Sequence, residues 1–142
     1  MSIYQFFRIT ILLGAITLPL TGCAGSSSIK GSSIKGSAAY RERIALPPNA
    51  VFEAVLEDVS KQDVMAERLG RVTIEKIDSV PVDFKIPYKE AQIKDGHSYS
   101  VRARIMVGEK LYFITDTHYP VITRGHGNEV ELLLKRVDGP KP

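Results

Sequence analysis

Three histidines and one cysteine are the side chains of this 142-residue chain best suited to metal binding or catalysis. His97 follows an Asp95-Gly96 turn, His118 follows Asp116-Thr117, and His126 sits between Gly125 and Gly127. A metal site needs three or four ligands held rigidly and hydrogen-bonded from behind. The chain has neither a His-x-x-x-His spacing nor a pair of cysteines, and its histidines lie in turn contexts, so no metal is expected. Nucleophilic catalysis needs a base within hydrogen-bond reach of a serine. Ser98 beside His97 would point to the opposite strand face, most other serines crowd residues 26–37, and no Gly-x-Ser-x-Gly elbow occurs. Glu42 stands out because Tyr40, Ile44 and Leu46 share its side of an expected strand. It reads either as a shifted acid in a pocket or, more commonly, as a sheet-edge carboxylate paired with an arginine. No catalytic residue is assigned.

Cys23 points to a different chemistry. Leu20-Thr21-Gly22-Cys23 ends an apolar run, Ile9 to Leu20, that follows the lone charge Arg8 and the aromatics Tyr4, Phe6 and Phe7. This resembles the lipobox of bacterial lipoproteins, and the run is too short to span a bilayer. The resemblance implies cleavage before Cys23, which then carries N-acyl and S-diacylglycerol groups; two or more chains give stable membrane residence. Position 24 is Ala rather than the Asp that retains lipoproteins in the inner membrane. The expected address is therefore the outer membrane, facing the periplasm. A mature chain without a free thiol has no disulfide and must rely on its hydrophobic core. Its small positive charge gives no argument for nucleic acid.

The elements that would position these residues fall into four stretches: a signal peptide at 1–22, the lipidated cysteine with a Gly/Ser-rich tether at 23–38, a folded domain at 39–138 and a tail at 139–142. Ser-Ser-Ile-Lys-Gly occurs twice in succession within the tether, at 27–31 and 32–36. In the domain the dominant period is two. Val80, Val82, Phe84 and Ile86 share a face, as do Tyr99, Val101, Ala103, Ile105 and Val107, and later Val130, Leu132 and Leu134. Gly108-Glu109 predicts a two-residue hairpin turn leading into a return strand at 110–115. Residues 50–59 fit a helical stripe as well as a strand; valine enrichment and hairpin-like neighbours favour the strand. Residues 65–76 predict one bent strand or two short ones broken at Gly70. The expected fold is all-β, a single antiparallel β-sandwich.

Two groups are candidates for partner contact. Arg102 and Arg104 share a strand face, as do Arg41 and Arg43, and Glu129 and Glu131 alternate similarly. Such charges either pair across strands or form a strip that meets an acidic partner or lipid head groups. In Thr115–Gly125, Pro120 cannot donate to a sheet ladder, so Tyr119, Pro120 and Val121 read either as a docking edge or as a kinked connection.

Four blocks together resemble the YbaY/YscW lipoproteins, closer to the YbaY branch. They are Tyr40 to Ala50, Val82 to Tyr88, Tyr99 to Ile105 and Thr115 to Gly125. The resemblance implies a compact sandwich of immunoglobulin-like or transthyretin-like appearance. It also implies kinship with pilotins, lipoproteins that bind a secretin subunit and bring it to the outer membrane for type III secretion. The favoured function is thus a non-enzymatic, membrane-tethered binding or assembly module whose partner is a secretin or another envelope protein. Two other classes stay open: a small envelope hydrolase acting on glycan or lipid, which would need Glu42, His97 and His118 in one pocket, and a structural or stress-related lipoprotein.

Overall fold

Strict alternation of apolar and polar residues builds the fold. In the computed structural model, which describes residues 31–137, eight strands follow in order. They are β1 (Ser32–Tyr40), β2 (Ala50–Asp58), β3 (Glu67–Glu75), β4 (Val82–Tyr88), β5 (Tyr99–Val107), β6 (Lys110–Ile114), β7 (Pro120–Val121) and β8 (Glu129–Arg136). The signal segment, Cys23, the first part of the tether and residues 139–142 lie outside the described residues. Residues 50–59 are strand, as expected: Phe52, Ala54 and Leu56 are fully buried on one face, with Glu53, Val55 and Glu57 on the other. The β5–β6 turn is the expected two-residue hairpin, with Gly108 at φ 60°. Residues 67–75 form one strand bent by a bulge: Leu56 pairs with Gly70 and Glu57 with Arg68, leaving Leu69 as the extra residue.

The all-β expectation holds, but the layering and the boundaries differ from the sequence reading. The strands form one sheet in the order β3-β2-β5-β6-β8-β1-β4, with β7 added beside β5. β8 carries the chain of hydrogen bonds between the two halves. Its Glu129–Leu134 pair with β1, while Lys135 and Arg136 pair with β6. The sheet curls until its outer strands β3 and β4 meet, giving a nearly closed barrel where an antiparallel sandwich was expected. Nor is it purely antiparallel, because β1 runs parallel to β8.

The tether expected through residue 38 gives way to strand at Ser32. Ile34 and Ala38 are fully buried and Tyr40 nearly so, and partners on both sides satisfy the backbone of this Ser/Gly-rich segment. Residues 41–46, expected to continue a strand, belong instead to a 41–49 loop in which Arg41, Glu42 and Arg43 are exposed. Tyr40 Oη donates to Ile44 O at 2.9 Å, and its ring stacks on Phe113 at 4.2 Å. Burial first, then the nearby charge of Glu42, raises the Tyr40 phenol above its usual range.

Candidate partner-binding groove

The two outer strands determine where the barrel is open. β3 and β4 run antiparallel and touch at Gly70, where a Cβ would lie 2.4 Å from Pro87 O and 2.8 Å from Ile86 Cγ2. Only glycine allows this approach. Pro87 is tolerated because β4 is an outer strand. Beyond Gly70 an open groove of ≈ 800 Å³ lies between the strands. Val72 and Ile74 of β3 line one side. The other is a patch of three strands in register, Asp83–Lys85 on β4, Lys35–Ser37 on β1 and Glu129–Glu131 on β8. Gly36 sits at the centre of that patch. A Cβ there would come 2.4 Å from Phe84 Cζ and 2.7 Å from Val130 O, so the missing side chain lets the Phe84 ring lie across β1. The lining therefore combines Val72, Ile74, Phe84 and Val130 with charges of both signs, Lys35 and Lys85 against Asp83, Glu129 and Glu131.

The residues singled out from sequence lie elsewhere. Tyr119, Pro120 and Val121 do not make an open edge. Val121 and Pro120 pair with Tyr99 and Ser100 of β5, and Val121 is 1% exposed. Tyr119 Oη closes the other flank, accepting from Leu133 N at 3.0 Å and lying 3.2 Å from Leu133 O, to which it donates. Threonines complete the connection: Thr115 Oγ1 accepts from Ala103 N, and Thr123 Oγ1 donates to His97 O at 2.7 Å.

Arg102 and Arg104 belong to an ion ladder on the outer face of β3, β2 and β5. Glu53 lies between Arg104 at 2.8 Å and Arg71 at 3.7 Å; Glu57 lies between Arg68 and Arg102, each at 3.8 Å. Cross-strand pairing thus accounts for both arginines. Glu57 Oε2 is buried without a hydrogen bond, since 3.8 Å is too long for one.

The histidines separate as well. His97 Nδ1 lies 2.6 Å from Asp58 Oδ2, whose other oxygen accepts from Ser60 N at 2.9 Å. Burial alone would push the Asp58 carboxyl up. Hydrogen bonds from Ser60 and His97 and the imidazolium charge outweigh it and hold the carboxyl at about 2. Ser60 Oγ also donates to this carboxylate and accepts from Ser98 N, so the constellation pins loops together. His118 and His126 share a small hollow of ≈ 100 Å³, and Glu42 lies in the 41–49 loop away from both sites. Among the described residues, no group of three or more His, Cys, Asp or Glu could hold a metal.

The described residues thus form a nearly closed all-β barrel with an apolar, charge-rimmed groove between its outer strands. Residues 29–134 match the family described as type III secretion system lipoprotein chaperone (YscW), and the chain belongs to that family. It is 32% identical over 108 residues, 75% of its length, to the uncharacterized lipoprotein YbaY of Escherichia coli (strain K12). The chain spans 56% of the length of that relative. It is also similar to the solved structure of an alternative pilotin from the type II secretion system of Vibrio cholerae. That likeness has 47% identity and a TM-score of 0.75, covering 78% of this chain and all of the other.

Proposed function

We propose that this protein is an outer-membrane-anchored, pilotin-like chaperone. Acyl groups on Cys23 would hold it at the periplasmic face, while the β3–β4 groove takes an amphipathic segment of a secretin subunit. The observation that carries this reading is the groove itself, in a chain of the lipoprotein chaperone family. Val72, Ile74, Phe84 and Val130 offer apolar surface to one face of such a segment, and the lysines and carboxylates around them can pair with its charged flanks. The pilotin likeness extends over most of the chain and supports the same partner class.

A photo-crosslinking residue at Ile74, used in living cells, tests the proposal. The expected result is one dominant adduct with a secretin, lost when Val72→Asp is added and absent when the crosslinker is moved to Pro120. Diffuse adducts, or a secretin adduct from Pro120 alone, overturn it. The anchor is tested separately: Cys23→Ser should leave the domain folded and shift it from the membrane to the soluble fraction. An unchanged membrane fraction would remove Cys23 as the anchor.

A further inference from the structure

Strand directions gather three loops and the start of β1 at one end of the barrel. Ser32 pairs with Tyr88, the last residue of β4. Asn128 O accepts from Lys35 N, which brings the β7–β8 loop to that end. The β2–β3 loop joins them because β3 begins beside β4's end, and the loop before β5 is fixed to it by His97 and Asp58. Thr123 and Arg124 bind His97 O and Gly96 O, so the loops form one cross-linked platform.

On this platform Val64 is 63% and Met65 93% exposed. Asp63, at φ 63°, turns the chain just before them. Lys61 and Lys94 flank the pair around a shared hollow that Asp58, Glu67 and His97 also line; Asp58 is tied up with His97. Adjacent exposed apolar side chains with lysines beside them suit a lipid interface, where apolar tips enter the acyl boundary and ammonium groups meet phosphates.

The chain length says which end meets the membrane. Nine residue steps separate Cys23 from Ser32, at most ~30 Å. A nine-residue strand such as β1 is itself roughly 30 Å long. An acylated Cys23 therefore keeps the Ser32 end within ~30 Å of the bilayer, and the opposite end would reach it only with the tether fully stretched along the barrel wall.

We propose that Val64 and Met65 form a membrane-contacting tip, seated in the headgroup layer beside the lipid anchor. The inference rests on the Cys23 anchor proposed above. It gives the groove a direction, since the β3–β4 seam is closed at Gly70, on the tether side, and opens away from the membrane.

The chain contains no tryptophan, so one introduced residue reports its own surroundings. The acylated full chain is reconstituted in vesicles of phosphatidylethanolamine and phosphatidylglycerol, once as Met65→Trp and once as Glu109→Trp in the opposite hairpin. Met65→Trp should emit at shorter wavelength and lose most of its emission to brominated acyl chains, while Glu109→Trp stays unshifted and unquenched. Vesicle-bound protein whose Met65→Trp emission is neither shifted nor quenched overturns the tip. So does a shift that appears only on adding a purified secretin, which would assign the loop to the protein partner. A Cys23→Ser chain that binds vesicles as well as the acylated one counts against the anchor instead, so the two failures are distinguishable.

Discussion

The barrel has two seams, one sealed and one open. At Tyr119–Val121 the chain lacks strand length, yet the gap is sealed: Val121 is buried, and one phenol hydroxyl serves both backbone groups of Leu133. At β3–β4 the strands are long enough to pair, yet no ladder joins them; they approach closely at Gly70, and a groove lies between Val72–Ile74 and Asp83–Lys85. A proline and an aromatic residue mark the sealed seam, whereas glycine and ordinary alternation mark the open one. Local signs of a broken ladder thus do not locate a binding edge. What decides is whether a distant side chain arrives to satisfy the exposed backbone groups.

The largest effect is expected from filling the open seam. Gly36→Ala places a methyl group 2.4 Å from the Phe84 ring and 2.7 Å from Val130 O. Overpacking at such a site costs about 2–3 kcal/mol, measured by urea unfolding. Because the ring is one of the two clashing partners, adding Phe84→Leu should recover part of that loss, and the two changes should be non-additive. Additive costs would show that Gly36 is not there to admit Phe84.

Breaking the sealed seam should cost less. Tyr119→Phe removes the hydroxyl and leaves Leu133 N–H and C=O without their partner. Unsatisfied groups of this kind cost about 1–2 kcal/mol. Amide exchange at Leu133 should accelerate while Ile34 stays protected. Equal exchange in wild type and variant would mean that the seam is held by Val121 burial alone.

The misplacement of the first strand has a physical origin in the repeated Ser-Ser-Ile-Lys-Gly. Composition reads both copies as tether, yet the second copy is strand, with Ile34 buried and Gly36 under Phe84. The two copies are not interchangeable. Sliding the first into that register would bring Lys35 to the buried position of Tyr40, which disfavours the slip. The legible signal was the run Ile34, Ala38, Tyr40 on one face, interrupted by the glycine that composition alone assigns to a linker. Elsewhere the period of two placed β4, β5 and β8 well, because each alternates without such a gap. The groove was not legible, since it depends on which strands end the sheet, and that follows from pairings such as β1 with β8 that no local pattern encodes.

The platform at the tether end should respond to acid, unlike either seam. Asp58 has its carboxyl lowered from an ordinary 3.8 to about 2. The folded state therefore favours the ionised form, and this contribution is complete above 3.8. It is lost as pH falls through about 2, when the folded protein takes up the proton as well. Wild type should melt above Asp58→Asn at neutral pH, with the difference shrinking between 3.8 and 2. A difference that persists undiminished at the lower pH would assign the effect to packing and exclude the carboxylate charge.

The smallest effect belongs to the ion ladder, which has the most charges but arginines about half exposed to solvent. Arg104 is paired with Glu53 at 2.8 Å, yet its side chain is 46% exposed. Water and salt screen such a pair, so Arg104→Ala should cost only about 0.2–1 kcal/mol, less still at high ionic strength. The companion change Arg71→Ala removes the longer contact to the same carboxylate and should cost less than Arg104→Ala. The double variant distinguishes pair from network. If Glu53 needs only one arginine, either single change is mild and the double change exceeds their sum. If the sum is simply additive, the ladder is a set of independent surface pairs. The barrel's closure would then be owed to its hydrogen-bonded seam and aromatic core, with no share from the charges on its outer face.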